Sequence, residues 1–427
     1  MAEEIFFSKF LDALRESAND LGPQRELAPW ARNLYLKKWN YCDSSRDPGV
    51  AIVASDGSIG ESSFSGGLTV WVARAIAHIY RNDLSIANLQ EVAVKIGYRL
   101  LGQSLFMKAL EIKVLREATE KALREHGGAL SIFDGSLYLT FLHHPPRLRA
   151  IEWIFGKYLN ELTSLLNLTK SGAIVLGLSK DSDISYLRAR ILLDALLEVD
   201  PSLGSELSKG RVVSRMAERL KLKLENWKNN VLLRNYLDEL ELETSDESVY
   251  GEVAEGPGFT TPLLLAPQTL FTTEEIDGGT ESWWDSAFRK RLEGNARSSS
   301  LARALDRYFD LPPLALSYWK PRHESRAYRI DIPSNLLGFE GRCGDISEDK
   351  FFEEGLGKVA DLVASLNSIS QYPYVAKPLA EVDEIARLDR SLYKLAYEPV
   401  IVEELRKRGF KAIPKKRSVR DLVLRRY

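Results

Sequence analysis

The sequence contains few of the residues that mark secreted, zinc-binding or membrane proteins. Its 427 residues include two cysteines, Cys42 and Cys343, with three methionines and five histidines. Two distant cysteines exclude a disulfide framework and a cysteine-based zinc site, because both need closely spaced sets. No stretch approaches the about 18 consecutive apolar residues of a membrane span, and the N-terminus lacks the segments of a signal peptide. We therefore expect a soluble, cytoplasmic protein with no membrane partner.

A charge excess is also missing. The chain carries 58 basic and 60 acidic residues, which give a net charge of −2, so any basic surface for nucleic acid must be local. Its length allows two or three domains, or one large domain with insertions, and 44% hydrophobic content supplies an ample core. Charged residues reach 28%, a composition that leans towards a thermophile.

Two similar stretches organise the chain, 50–58 and 129–137, and each is an apolar run ending in Asp-Gly-Ser. Each predicts a buried strand that stops on an aspartate, Asp56 or Asp134. The residues between them leave room for a crossover, so the two strands are expected to be parallel neighbours. Asp-Gly is often a simple turn, but two adjacent carboxylates repel unless a cation lies between them. The pair therefore suggests a divalent metal site.

The segment between the two stretches predicts further strand and then a long helix. Residues 68–80 are expected to return as a hairpin beside the first strand, with His78 more typical of a packed residue than of a ligand. Residues 88–125 are interpreted as one helix. On its wheel Glu111 falls on the apolar face, whereas Glu117 does not. An inward glutamate either pairs with a buried base or joins the metal site.

Alternation of strand and helix continues after the second stretch and indicates an α/β fold. A helix is predicted over 147–170, a buried strand over 172–180 and a helix over 184–199. The strand ends on Lys180, which is either an ordinary loop lysine or a group that contacts a phosphate.

The last third of the chain predicts a strand pair over 315–333, with Arg329 and Asp331 on one face, and helices over 349–370 and 378–395. Asp383 shares the apolar side of the second helix. Residues from Arg406 onwards are strongly basic and either contact DNA backbone or form a solvated helix. The predicted organisation is a helical arm (1–47), a core (48–200), an insertion (201–300), the rest of the core (301–400) and a basic tail (401–427).

Six motifs in this order resemble the NurA nucleases of archaea and some bacteria, over about residues 50–395. They are the two Asp-Gly-Ser strands, the helix glutamate, Leu178-Ser179-Lys180, Tyr328-Arg329-Ile330-Asp331-Ile332-Pro333, and Tyr372-Pro373 followed by Pro378-Leu379-Ala380-Glu381-Val382-Asp383. The resemblance implies a ribonuclease H-like mixed sheet core with helical arms and insertions. It also implies a manganese-dependent 5′ to 3′ exonuclease and single-strand endonuclease that works in DNA end resection as a homodimer with the hexameric HerA translocase.

Carried over residue by residue, the resemblance assigns metal ligation to Asp56, Asp134 and Glu111, with Glu117 as a competing alignment, and a catalytic role to Lys180. Many members have histidine where this chain has Asp383, and a hard oxygen there suits Mn²⁺ or Mg²⁺. The expected partners are DNA ends, a second copy of the chain and a HerA-type ATPase. Arg322, Arg326 and the tail are expected to face either the channel that the twofold dimer encloses or the ATPase motor. The alternative is a catalytically idle scaffold on the same fold that clamps DNA or the motor. A third interpretation, a glycosidase or an ATPase, is weakened by the lack of a phosphate-binding loop.

Overall fold

The fold is taken from a computed structural model, which describes residues 2–20, 27–82, 84–139, 145–203, 221, 227–242, 244–266, 298–346, 348–371 and 375–410. The predicted tail beyond Phe410, the Tyr372-Pro373 part of a motif and most of the predicted insertion lie outside these ranges. None of the described helices is long and apolar enough to cross a membrane.

Three long antiparallel strands form one side of a mixed sheet. They are β2 (Ala51–Ser63), β3 (Leu68–Arg81) and β4 (Leu84–Tyr98). Gly66 and Gly67 both adopt positive φ between β2 and β3, a conformation that glycine adopts without strain. The hairpin predicted beside the first strand is therefore present, as the single strand β3.

Two shorter strands extend the sheet on the other side of β2. β5 (Ala129–Asp134) pairs with β2 in parallel, and β6 (Ala173–Ser179) pairs with β5 in parallel. Their crossovers contain the helices α3 (Gln103–His126) and α4 (Pro145–Asn167). Both strands are almost wholly buried, which explains their continuous apolar sequence. The expectation that the two aspartate strands are parallel neighbours is confirmed.

The rest of the described sheet is antiparallel. β10 (Tyr328–Pro333) pairs with β6 and forms a hairpin with β9 (Leu314–Lys320). Short strands continue beyond β9, namely β1 (Trp39–Tyr41), β7 (Gly258–Thr260), β8 (Leu263–Leu264) and β11 (Lys350–Phe351). The described strand order is β1-β7-β9-β10-β6-β5-β2-β3-β4, with β8 and β11 beside β9. The mixed α/β class is therefore confirmed, and β7 and β8 show that part of the predicted insertion belongs to the sheet.

Helices cover both faces of this sheet. One apolar cluster joins the sheet to α3, α4, α2 (Pro29–Leu36), α5 (Tyr186–Val199), α7 (Asp246–Val253) and α8 (Ser298–Phe309). A second cluster, on the opposite face, holds α9 (Leu356–Ile369) and α10 (Lys377–Ala386). A separate helix, α6 (Val231–Leu240), packs on α5, and α11 (Glu398–Lys407) packs over the outer part of β2 and β3.

The predicted helix over 88–125 is wrong in its first part. Residues 84–98 form β4, and α3 begins only at Gln103, after Gly102 in a left-handed conformation. Ile86, Val92 and Val94 alternate with less exposed residues along β4, a period of two that belongs to a strand, and their branched side chains favour it.

The described part of the N-terminal arm consists mainly of two helices that differ in burial. α1 (Ala2–Asp20) leaves the rings of Phe6, Phe7 and Phe10 largely exposed. Among the described residues of the arm, α2 packs on the core and buries Ala31 and Tyr35. The amphipathic pattern of α1 therefore produced a helix without a described surface to cover it.

Candidate metal centre

The candidate site lies where β2 and β5 part. Their parallel register ends with the pair Ser55 and Phe133, so Asp56 and Asp134 are the next residue on each strand. β2 continues because β3 still pairs with it, whereas β5 ends at Asp134. The first Asp-Gly-Ser therefore does not stop its strand, contrary to prediction. Both aspartates nevertheless lie at the gap where β2 and β5 separate, which we call the notch.

Glu111 approaches this notch from α3. A Cβ atom at Gly57 would lie 3.4 Å from the Glu111 Cβ atom, an ordinary contact distance, so α3 packs directly against β2 at this point. The Glu111 side chain is 2% exposed, and its buried Oε1 atom has no hydrogen-bond partner. Burial, reinforced by the charges of Asp56 and Asp134, raises the pKa of Glu111 well above its usual value. A buried carboxylate without a partner is costly unless a cation compensates it.

Glu117, the competing helix glutamate, lies elsewhere. Its Oε1 atom accepts a hydrogen bond from Arg116 Nη2 at 3.3 Å, in a partly exposed network that also includes Glu120 and Glu161. The structure therefore brings Glu111, and not Glu117, to the two aspartates.

Lys180 compensates one of the carboxylates. Its Nζ atom lies 2.6 Å from Asp134 Oδ2. Burial lowers the pKa of Lys180, but the charge of Asp134 and the hydrogen bond to it outweigh burial and raise the pKa overall. The side of the site formed by β5 and β6 therefore contains an ion pair between Asp134 and Lys180.

Asp383 reaches the opposite side from α10. Its side chain is exposed to solvent and not turned into the core, which corrects the inward orientation predicted from the wheel. The carboxyl groups of Asp56 and Asp383 are near enough to share a hydrogen bond when one is protonated. Burial, with the charges of Asp134 and Asp383, raises the pKa of Asp56 to about 6 against an opposing backbone hydrogen bond from Gly57. Asp56 thus faces acidic neighbours.

The loop after Asp134 is fixed by a buried carboxylate. Asp331 Oδ2 accepts hydrogen bonds from Ser136 Oγ at 2.7 Å and from the Leu137 backbone N–H at 2.9 Å. The guanidinium of Arg329 compensates Asp331 at 2.7 Å, and both side chains are buried. The sequence places these two residues on one face, and the structure shows that they hold the turn that follows Asp134.

The C-terminal end of α10 is fixed from β3. Arg74 Nε donates to the Ala386 carbonyl at 2.7 Å, and Arg74 Nη2 donates to the Ile385 carbonyl at 3.2 Å and to the Arg387 carbonyl. Ser58 Oγ also donates to the Ala386 carbonyl. No sequence motif indicates a role for Arg74 or Ser58 in the site. The one local signal is that Arg74 is a charged residue inside the apolar run of β3.

These carboxylates fit a hard divalent cation in their chemistry. Carboxylate oxygens are the ligands that Mg²⁺ and Mn²⁺ prefer. The buried Oε1 atom of Glu111 has no hydrogen-bond partner, and the charges of Asp134 and Asp383 add to the effect of burial in raising the pKa of Asp56. Within the described ranges, no three such side chains already stand close enough to surround an ion. Binding would therefore require the carboxylates to draw together.

The other singled-out residues lie away from the notch or serve other contacts. Arg322 and Arg326 are exposed in the connection between β9 and β10, where Arg326 pairs with Asp181 at 2.9 Å. His78 accepts or donates a hydrogen bond with Ser85 at 3.0 Å. Burial lowers its pKa, as expected for a packed histidine.

The sequence model of the NurA domain matches residues 50–388 of this chain. Among solved structures, the NurA nuclease from Sulfolobus solfataricus is similar at 15% identity and a TM-score of 0.47, over 96% of this chain and 99% of that chain. A NurA crystal structure with manganese is similar at 13% identity and a TM-score of 0.40, over 92% of this chain and 97% of that chain. The catalytic domain of human Endonuclease V gives 11% identity and a TM-score of 0.28, over 91% and 96%. No curated protein sequence matches this chain.

Proposed function

Because the chain belongs to the NurA family, we propose that it is a metal-dependent DNA nuclease that hydrolyses phosphodiester bonds. The observation that carries the proposal is the notch itself, where the register of two parallel strands brings Asp56 and Asp134 together and α3 adds the partnerless Glu111. Three acidic groups with one basic partner leave a net negative charge that a cation would neutralise.

The proposed cofactor is Mn²⁺, with Mg²⁺ as the second choice, held by Asp56, Glu111, Asp134 and Asp383. When bound, such an ion would neutralise charge that develops on the phosphate and its leaving oxygen. The protein's own contribution is placement. The strands fix Asp56 and Asp134, α3 fixes Glu111 from inside the core, and α10 presents Asp383 from the solvent side, where a substrate enters.

Lys180 has a separate role in this proposal. It is partly exposed, and its Nζ atom lies 2.6 Å from Asp134 Oδ2, so it pairs with the carboxylate that is proposed to bind the metal. With a cation bound at Asp134, the Lys180 ammonium would be available to bind a non-bridging oxygen of the scissile phosphate.

The ribonuclease H-like core is part of the proposal. Its support is the order β4-β3-β2-β5-β6, an antiparallel meander followed by two strands parallel to the first strand of the meander. The domain boundaries given above remain predictions, as does a cytoplasmic location.

The proposed activity is 5′ to 3′ exonuclease and single-strand endonuclease in DNA end resection, by a homodimer that works with a hexameric HerA-type ATPase. Family resemblance supports these finer points. The structure adds that β4 ends the described sheet with Val92, Val94 and Ile96 exposed, and that α1 exposes Phe6 and Phe7. Such apolar surface is typical of protein–protein interfaces, which supports an assembly. The net charge of −2 gives little general attraction for DNA, which supports a partner that holds the substrate.

Labelled DNA, single-stranded and double-stranded, tests the central proposal. We expect cleavage with Mn²⁺, none with chelator, and recovery when Mn²⁺ is restored. Labels at the 5′ and 3′ ends separate the two polarities, and light scattering at micromolar protein distinguishes a dimer from a monomer.

One observation favours the idle scaffold, namely the lack of a preformed group of three ligands in the described ranges. DNA binding without cleavage under any divalent metal would support the scaffold and overturn the nuclease proposal. Asp134→Asn is the matched control, because contaminating nuclease would survive that substitution.

A further inference from the structure

We propose that Arg74 is a positioning residue that holds Asp383 against Asp56 by binding the C-terminal end of α10. This inference rests on the proposed nuclease function, because it assigns Arg74 to the assembly of that site. Arg74 is not offered as a metal ligand or as a residue that touches DNA.

The first support is the geometry of the contact. The guanidinium of Arg74 donates to three consecutive carbonyls, those of Ile385, Ala386 and Arg387. The last carbonyls of a helix have no partner within the helix and form the negative end of its dipole. A cationic donor with several N–H groups in a fixed plane suits this position better than any other side chain.

The second support is the register of β2 and β3. Arg74 pairs with Ser58, and Asp56 lies two residues earlier on β2, so Asp56 and Ser58 point to the same face. Ser58 Oγ contacts the Ala386 carbonyl and also accepts from Arg74 Nε at 3.3 Å. One turn of α10 therefore touches β2 twice, through Asp383 at Asp56 and through Ala386 at Ser58.

The third support is the position of Asp383 within the bound turn. The Asp383 carbonyl accepts the backbone N–H of Arg387 at 3.0 Å, so Arg74 and Asp383 act on the same turn of helix. If this turn loses its helical hydrogen bonds, the Asp383 side chain is no longer held in its orientation towards Asp56.

Electrostatics explains why such a contact is needed. Asp56 and Asp383 are both acidic, and α10 brings Asp383 towards β2, the strand that carries Asp56. Like charges repel when no cation lies between them, and this would favour movement of the exposed end of α10 away from β2. The buried residues Leu379, Val382 and Ala386 hold the body of the helix. Arg74 holds the end where the repulsion acts.

A purely structural role would predict lost stability without a specific effect on the site. The two explanations separate in a cycle of variants made in the full-length chain: Arg74→Met, Arg74→Lys, Asp383→Asn, and Arg74→Met combined with Asp383→Asn. Arg81→Met is the matched control, because Arg81 lies on the same strand but contacts His126 and not α10.

The primary measurement is Mn²⁺ affinity, from titration of free Mn²⁺ by electron paramagnetic resonance. We expect Arg74→Met to weaken binding by about 10-fold, the usual effect of removing a group that orients a ligand. Arg74→Lys should recover part of the loss, and Arg81→Met should bind as the wild type. In the Asp383→Asn background, Arg74→Met should cause no further loss, because the residue on which it acts is already changed.

The second measurement is amide hydrogen exchange over 383–387 in metal-free protein. Exchange should rise in Arg74→Met and stay unchanged in Arg81→Met. Wild-type exchange and Mn²⁺ affinity in Arg74→Met would overturn the inference while leaving the nuclease proposal intact, and so would losses that multiply in the double variant. If the wild-type protein neither binds Mn²⁺ nor cuts DNA, the proposed function fails and the inference fails with it.

Discussion

The two Asp-Gly-Ser segments have the same sequence, and the chain continues differently from each. After Asp56 the strand runs on to Ser63, because β3 offers a partner at every residue. After Asp134 the strand ends, Gly135 adopts a φ of 142°, and Ser136 is bound by Asp331. Neighbouring strands therefore decide whether the tripeptide continues a strand or turns away from it.

The two aspartates also differ in electrostatic surroundings. Asp134 has a cation of its own chain 2.6 Å away, the ammonium of Lys180. Asp56 faces Asp134 and Asp383, and burial with these charges raises its pKa to about 6. The protein compensates one copy and leaves the other uncompensated. A bound cation should therefore stabilise the Asp56 side of the site more than the Asp134 side.

Substitution of each aspartate should affect activity equally and stability in opposite directions. Asp56→Asn and Asp134→Asn should each reduce cleavage by at least about 100-fold, more than the loss of a residue that only supports a metal ligand. Without metal, Asp56→Asn should raise the unfolding midpoint, because it removes repulsion. Asp134→Asn should lower it, because Lys180 loses its partner.

Nuclease assays and thermal unfolding in chelator measure both effects. Equal shifts of the unfolding midpoint in the two variants would show that the two copies do not differ in charge compensation.

The next largest predicted difference is in cleavage rate, between variants of Glu111 and Glu117. Glu111→Gln removes one of the carboxyl groups proposed to hold the metal but leaves an amide oxygen in its place, and it should reduce cleavage by at least about 10-fold. Glu117→Gln alters only a partly exposed contact with Arg116, which is worth at most about 1 kcal/mol, and should leave cleavage unchanged. Steady-state rates over a range of Mn²⁺ concentrations measure the contrast. A greater loss in Glu117→Gln would assign the helix ligand to the other glutamate.

Gly57 and Gly135, the glycines of the two Asp-Gly-Ser segments, test whether the segments differ in backbone conformation. Gly135→Ala forces a side chain into a positive φ and places its Cβ 3.2 Å from the Phe133 ring, so it should cost about 1–3 kcal/mol of unfolding free energy. Gly57→Ala adds a Cβ at ordinary contact distance, 3.4 Å from Glu111 and Met107, and should cost less than about 1 kcal/mol. Denaturant titration compares them. A larger cost at Gly57 would mean that packing of α3, and not the turn, limits this notch.

Much of the sheet could be predicted because its signals are local. The apolar runs of β2, β5 and β6, with helices between them, indicate parallel strands, and the structure has them. The helical spacing that places Glu111 on the apolar face also depends only on neighbours in sequence. Strand β4 is not predicted correctly, because the apolar residues of its second half also fit one side of a helix that continues into α3.

The long-range part of the site could not be predicted. Arg74 lies 312 residues from the Ala386 carbonyl that it binds, and no local pattern connects the two. Asp383 was placed inward because Val382 and Ala386 are apolar, yet its orientation depends on the notch to which α10 is attached. Such contacts follow from the packing of distant elements and not from periodicity.

The smallest predicted effect concerns stability in the absence of metal. The difference in unfolding midpoint between the wild type and Asp56→Asn should depend on pH. The pKa of Asp56 is about 6 in the folded state against its ordinary value of 3.8, so between these values the folded state binds more protons than the unfolded state. Stability contributed by this group should therefore fall as pH rises from about 4 to about 6. Asp246, whose burial also raises its pKa to about 6, is present in both proteins and cancels in the difference.

The measurement is the unfolding midpoint of both proteins from pH 4 to pH 8 in chelator. The wild type should lose stability relative to Asp56→Asn as pH rises to about 6, and the difference should stay constant above about pH 7. Saturating Mn²⁺ should reverse the trend for the wild type, because a cation favours the ionised carboxylate. A pH-independent difference would mean that Asp56 is as well compensated as Asp134, and the contrast between the two copies would then be one of backbone alone.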